Sequence, residues 1–532
     1  MQWMKGLAFM LLAGLPWIAM AEKPASADAP PAPMSENVAD NTFDILEYAI
    51  EGNTVLPALA IEEAVYPHLG EKKSIKDVEQ ARLSLEKTYH NAGYLTVLVD
   101  IPEQEVKSGL IRLRVTESSV SRLKVSGARY YSLGKIKEKA PSLAEGGVPY
   151  FPDVQADLAA LTRSRDRLVA PVLRAGKTPG TVEVELKVKD ELPLHGSVEL
   201  NDAYSANTTH TRLSGQIRYD NLWQREHSLS LLFQTAPEKP EESNVFSGTY
   251  VIPGDNGQAY ALYMVRSRSN VAAVGDYTAL GQGNFFGFRW IRPLRASEGY
   301  SHSMNLGVDY KDSAESVVGS ADTISSPITY TPLSAQYIGN WNWAPQTLTQ
   351  FDIAANFNLR GQRNNEDDFA NKRYKAQANY FYLRGGVQHT QGIGGWTLYT
   401  KLDGQAASGP LISNEQFTAG GAASVRGYLE SEALGDYGVH GALEVRSPSF
   451  LPEAFGPGQL YALAFVEGAR LRLLSPLPQQ TSRFLLSSSG VGLRLKAAKG
   501  LSVNVDWALP FKSLTYTQAR DSRLHARVAY EF

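Results

Sequence analysis

The chain closes on Arg523-Leu524-His525-Ala526-Arg527-Val528-Ala529-Tyr530-Glu531-Phe532, and this stretch decides the fold. Leu524, Ala526, Val528, Tyr530 and Phe532 fall on one face of a period-two pattern, and His525, Arg527 and Glu531 on the other. That is a lipid-facing strand ending in an aromatic residue. A bilayer offers backbone groups no water to bond, so such a strand requires a closed barrel rather than an open sheet. The pattern places the chain in a bacterial outer membrane, with Tyr530 and Phe532 read as the signal that delivers it to barrel-assembly machinery.

The opposite terminus fits that destination. Lys5 precedes an apolar run from Leu7 to Leu15, and Ala19-Met20-Ala21 supplies a small-residue cleavage site, so residues 1–21 read as a signal peptide. Gly14 and Pro16 make the run too short and broken for a membrane anchor. Beyond it there is no long apolar stretch, so any crossing must use strands, whose alternation keeps mean hydropathy modest. The absence of cysteine excludes disulfides, thiolate metal sites and cysteine catalysis together, and a net charge of -3 argues against nucleic acid as partner.

Residues 22–42 carry Pro24, Pro30, Pro31 and Pro33 among Ala, Ser and Asp and read as a flexible linker, a poor setting for a helix that plugs a barrel. Residues 43–117 read as a β-α-α-β-β unit. A short helix follows Pro57, and a second starts at Ser74, with Asp77 completing a weaker capping box. Val78, Ala81, Leu85 and Tyr89 share its inner face, and Gly93 ends it. Residues 118–192 repeat the order, closing on Thr181-Val182-Glu183-Val184-Glu185-Leu186-Lys187-Val188, where apolar residues alternate with charged ones.

From residue 193 onward helical periodicity gives way to amphipathic strands. Leu229, Leu231 and Phe233 alternate with polar neighbours, as do Met304, Leu306, Val308 and Tyr310; Phe351, Ile353, Ala355 and Phe357; Tyr374, Ala376, Ala378, Tyr380 and Tyr382; and Val503, Val505 and Trp507 against Asn504 and Asp506. Polar residues on the opposite face predict a wet interior. At about 21 residues per strand and turn, residues 193–532 hold about 16 antiparallel strands.

Two small α+β units feeding a carboxy-terminal barrel resemble the transporters of two-partner secretion, which export filamentous haemagglutinins and haemolysins and whose small units are POTRA domains. Val425-Arg426-Gly427-Tyr428 is similar to that family's V-R-G-Y/F motif, borne on a long loop folded back into the barrel. Phe465-Val466-Glu467-Gly468 resembles its F-x-D-x-G motif on a barrel strand, with Glu467 in place of Asp. The resemblance implies an Arg426 to Glu467 contact. A guanidinium fork matches a carboxylate bidentately. Treated as an exposed pair, it would contribute about 0 to 1 kcal/mol and position the loop rather than stabilise the fold.

The resemblance also implies the partners, which are a large secreted exoprotein as client and outer-membrane lipid. Open sheet edges in the amino-terminal units could accept an extended client as an added strand. G-x-x-x-x-G-K-[ST], H-E-x-x-H and G-x-S-x-G are all missing, so no catalytic, cofactor or metal site is expected, and transport must draw on client folding outside the cell. An insertase of other barrels and a passive porin are the alternatives; two repeated units are few for the first and superfluous for the second.

Overall fold

The computed structural model describes residues 42–532, apart from 107, 270, 275–276, 315, 319–322, 326, 362–364, 453–455 and 498–499. The leader and nearly all of the expected linker lie outside the described residues. The chain divides into two compact units at Pro193 and Leu194.

The amino-terminal unit contains one small fold twice. Strand Leu110–Glu117 is central, flanked by Glu47–Glu51 in parallel and Val97–Asp100 in antiparallel. Helices Ala58–Val65 and Ile75–Asn91 cover one face, burying Ile61, Val65, Val78, Ala81, Leu85 and Tyr89 against Ile111, Leu113 and Val115. The long helix starts where Ser74 and Asp77 form their reciprocal cap, and Gly93, at φ +99°, leaves it. The Ser74 amide, then its hydroxyl, hold the Asp77 carboxyl below the usual carboxylate range.

The second copy has Thr181–Asp190 at its centre, between Ser119–Ser126 in parallel and Arg167–Ala175 in antiparallel. Helices Leu133–Glu138 and Phe151–Leu161 pack on it through Ile136, Val154 and Leu161. Both copies share a device that periodicity does not reveal. Gly52 and Gly127 each leave the first strand at positive φ, where an added Cβ would stand 2.3 Å from the carbonyl of Val115 or Val188 in the central strand. Only glycine permits that close crossing.

Among the described residues of the second unit, sixteen antiparallel strands close into a barrel, counting Ile328–Tyr330 with the strand Leu333–Ala344 that follows it. The first strand, Leu194–Asn201, meets the last, Arg523–Glu531, over five residue pairs, Asn201 with Arg527 through Ser197 with Glu531. Gly196 and Phe532 add two backbone hydrogen bonds of 2.9 Å. Leu524, Val528, Tyr530 and Phe532 are exposed on the outer wall while His525 and Ala529 are buried inside. The terminal alternation therefore runs lipid-out.

Two details differ from the sequence reading. Tyr374, Ala376 and Ala378 precede strand Tyr380–Ile393 rather than lying on it, and Tyr380 and Tyr382 point inward while Phe381 and Leu383 face out. The alternation there is real but inverted, because Phe369 of the short helix Glu366–Lys372 and the loop residues Ala376, Ala378, Leu411 and Ile412 give the tyrosines an apolar partner inside. The interior is likewise not uniformly wet. Val425, Tyr428, Phe417, Leu471 and Leu486 form a second buried apolar cluster.

Candidate functional site

The segment between strands Trp396–Ala407 and Tyr437–Arg446 carries the Val425-Arg426-Gly427-Tyr428 motif. Its tip is seated against residues projecting from strands Tyr437–Arg446, Gln459–Arg472 and Leu501–Pro510, and its base is held by other loops and by strands Tyr300–Ser313, Ile328–Tyr330 and Tyr380–Ile393.

At the tip, Arg426 is 3% exposed. Its backbone N–H donates to Glu467 Oε2 at 2.8 Å and its Nε to Oε1 at 2.9 Å, and Nη2 reaches Oε1 as well. The same guanidinium donates from Nη2 to Glu444 at 2.6 Å and from Nη1 to Asp506 at 3.3 Å. The extra methylene of Glu467 relative to Asp lets one carboxylate serve both the main chain and the side chain of Arg426. The outer oxygens of the other two carboxylates are taken by Arg446 on Glu444, at 2.7 Å, and Arg494 on Asp506, at 2.8 Å. Three arginines thus meet three carboxylates, and no buried charge stands alone.

The guanidinium carbon also lies 3.5 Å from the centre of the Phe465 ring. That ring rests over Gly490, where an added Cβ would fall 2.5 Å from its Cζ. Gly492 likewise leaves room for the Asp506 carboxylate, which an added Cβ would meet at 2.1 Å. The wall is therefore carved by two glycines to receive Phe465 and Asp506, and these present Arg426 with a stacked face and an acceptor.

The rest of the motif completes the seat. Val425 and Tyr428 have no exposed surface, and the Tyr428 hydroxyl lies 2.8 Å from the Lys512 carbonyl and accepts the Ser487 amide at 3.3 Å. Gly427, at φ +93°, passes close to Ala508 and Pro510 and donates its N–H to His525 Nε2 at 3.0 Å. Gly468 is the exception among the expected residues: strand alternation turns it to the opposite face from Phe465 and Glu467, and it gives the site nothing. The assumption of an exposed Arg426 to Glu467 pair is also overturned. Both residues are more than nine-tenths buried, so the small worth of surface pairs does not apply.

The base of the loop has two further buried carboxylates. Glu415 accepts Lys311 and the Tyr330 hydroxyl at 2.6 Å and the Tyr382 hydroxyl at 2.7 Å. Asp436 accepts Arg373 Nη2 at 2.8 Å and the Leu411 and Leu474 amides at 2.9 and 2.6 Å. Neither was visible as a motif, because each partner comes from a different loop or strand. Glu444, Asp506 and His525 had a weaker signal, namely a titratable residue on the inner face of an alternating strand.

Two sheet edges of the amino-terminal unit are covered by its own groups. The Val99 N–H donates to Glu86 at 3.2 Å, its carbonyl accepts Arg82 at 3.1 Å, and the Val97 carbonyl lies 3.1 Å from His90 Nε2. On strand Ser119–Ser126 the Val120 amide and carbonyl pair with Gly147 and Gly146, and the Leu123 amide donates to Glu145. That amide, with Lys137 behind it, holds the Glu145 carboxyl below its ordinary range. Among the described residues, the remaining edges of the two three-stranded sheets are Glu47–Glu51 and Arg167–Ala175, the latter interrupted by Pro171, which has no N–H.

Residues 180–495 match the family of haemolysin secretion/activation proteins ShlB/FhaC/HecB, and residues 43–118 match the POTRA domain of ShlB type. The heme/hemopexin transporter protein HuxB of Haemophilus influenzae (strain 86-028NP) is 20% identical over 456 residues, 83% of this chain and 79% of that one. The outer membrane transporter CdiB of Escherichia coli O6:K15:H31 is 23% identical over 179 residues, 34% and 30% of the two chains. Among solved structures, CdiB from Escherichia coli superposes with a TM-score of 0.63 at 17% identity, covering 94% of this chain and 93% of that one. BamA from Haemophilus ducreyi lacking POTRA domains 1-3 gives 0.56 at 14%, covering 92% and 100%. At these identities the two structures speak to the fold alone.

Proposed function

Because the chain belongs to the haemolysin secretion/activation family, as an outer-membrane transporter of two-partner secretion with POTRA-type units in the periplasm, we propose that it passes one large secreted exoprotein through its barrel as an unfolded chain, along a path set by the seated Arg426 loop. The observation that carries this reading is the burial of Arg426 among Glu467, Glu444 and Asp506, a seat built to hold a loop in one place inside a barrel.

In this reading residues 43–117 and 118–192 take up the client, residues 193–532 conduct it, and a leader over 1–21 and linker over 22–42 precede them. Main-chain pairing to an open edge binds extended segments without strict sequence demand. Since two edges are already capped by their own side chains and loops, Glu47–Glu51 and the Arg174 end of Arg167–Ala175 are the places for such pairing. Lipid contacts the outer stripe of Leu524, Val528 and Tyr530, and the barrel-assembly machinery reads Tyr530 and Phe532. Folding of the client outside the cell makes passage one-way without a nucleotide.

Deleting the gene and comparing extracellular proteins tests this directly. The expected result is loss of one very large exoprotein from the medium, with fragments retained in the periplasm and other barrels at normal levels. Depletion of many barrels at once would overturn it in favour of an insertase.

A further inference from the structure

Two buried histidines bracket the motif, and their hydrogen bonds require different protonation states. His440, on strand Tyr437–Arg446, has Nε2 2.9 Å from the Ser424 carbonyl and Nδ1 3.0 Å from the Asp403 carboxylate. Both partners accept, so the ring satisfies both only with a proton on each nitrogen. His525, on the closing strand, receives the Gly427 N–H at Nε2. An amide can only donate, so that nitrogen must carry its lone pair and the ring must be neutral, with its proton on Nδ1. A second proton would set donor against donor.

The surroundings of His525 offer a cation an alternative. Asp202, directly after the first barrel strand, places Oδ2 3.4 Å from Nδ1. Asp506 is its register partner on the neighbouring strand and is already held by Arg426 and Arg494. Glu430, farther along the motif loop, and Arg523 and Arg527, on the closing strand itself, are the other charged groups around it, with the Glu430 carboxylate also accepting the Ala422 amide and Arg527 taken by Glu199 at 2.6 Å. With the groups already paired elsewhere set aside, Asp202 and Glu430 stand against Arg523.

We propose that His525 is a pH-dependent positioning residue for the transport loop. Its neutral ring holds Gly427 against the closing strand, and its protonated ring releases Gly427 and binds Asp202 beside the seam between the first and last strands. Acidification therefore loosens the tip while leaving the His440 contact at Ser424 in place. The loop pivots about His440 instead of leaving the wall altogether. This inference rests on the reading of the Arg426 loop as the element that sets the path.

The test is single-channel recording of the purified full-length protein in planar bilayers between about pH 7.5 and pH 5.5, the interval in which histidine changes charge. The open fraction of the wild type is expected to rise about fivefold on acidification, the worth of one net hydrogen bond. His525→Gln, whose side-chain oxygen still accepts the Gly427 amide but takes no proton, is expected to be flat across the same interval. Asp202→Asn, which keeps an oxygen for the Ala526 amide but loses the counter-charge, should move the response to lower pH. A His525→Gln channel that responds like the wild type, a wild type with no response, or an unmoved Asp202→Asn profile would each overturn the proposal. Arg426→Ala separates the two readings. If it leaves conduction unchanged at every pH, the loop assignment itself fails; if it alters conduction while His525→Gln still titrates normally, only the histidine assignment does.

Discussion

The tip and the base of the same loop are both held by buried carboxylates, yet they are built on different principles. At the tip, one guanidinium spans three carboxylates on three barrel strands, so a single residue carries the seat. At the base, Glu415 and Asp436 each gather several modest donors from separate elements, among them Lys311, Tyr330, Tyr382, Arg373 and two backbone amides. The first arrangement fails all at once when its cation goes, and the second degrades by steps. A loop that must stay anchored to the barrel while its tip is rearranged needs that asymmetry.

The comparison is broken most severely at Arg426. Arg426→Ala leaves Glu467, Glu444 and Asp506 facing only Arg446 and Arg494, and removing one partner of a buried network costs about 3 to 5 kcal/mol. We expect a clear fall in the temperature at which the barrel loses its folded mobility on gels. Asp436→Asn at the base keeps an oxygen for only one of the Leu411 and Leu474 amides, sets its own NH2 against the other and forfeits the charge facing Arg373, and should cost about 1 to 3 kcal/mol by the same assay. Equal losses at the two places would remove the distinction between them.

Gly490→Ala probes the support under the tip. Its methyl would collide with the Trp507 carbonyl and the Phe465 ring, so the ring must tilt away from Arg426, at a cost of about 1 to 3 kcal/mol for overpacking. The expected readout is a smaller shift in melting than for Arg426→Ala, with altered channel conduction. Gly468→Ala, on the outer face, serves as its contrast and should leave conduction as it is.

The smallest effect lies in the amino-terminal unit, where Ser74→Ala removes one partner of the Asp77 cap. A lost cap costs about 1 kcal/mol, visible in urea unfolding of that unit within the intact protein and not in channel conduction. Asp77 has a lowered pKa in the folded state, so its contribution is complete above the ordinary carboxylate range and is lost as pH falls through the lowered value. Ser74→Ala should shrink that acid-side loss without abolishing it, because the Ser74 amide, the larger cause, stays.

The same contrast explains what could be read from sequence. The terminal strand declared the barrel because lipid imposes a period of two on every strand it touches, and Ser74 with Asp77 declared a helix because capping is local. Arg426 and Glu467 were legible as two short motifs, while Glu444 and Asp506 were not, because nothing in a lone carboxylate on an inner face says which loop will cover it. Tyr380 and Tyr382 misled for a related reason. An aromatic residue satisfies lipid and a packed interior equally well, and only Phe369 on a preceding helix and Leu411 on a later loop decide between them. Gly490 and Gly492 stayed silent because a glycine in a strand records what passes over it rather than what it does itself.

The most direct test of the seat is secretion by an Arg426→Lys barrel. Lysine keeps a positive charge among the three carboxylates, so the barrel should assemble normally, but a single ammonium cannot reach Glu467, Glu444 and Asp506 together or stack on Phe465. With the client measured in the culture medium, the account predicts that an assembled Arg426→Lys barrel releases only a small fraction of the wild-type amount. Wild-type secretion from that barrel would contradict it.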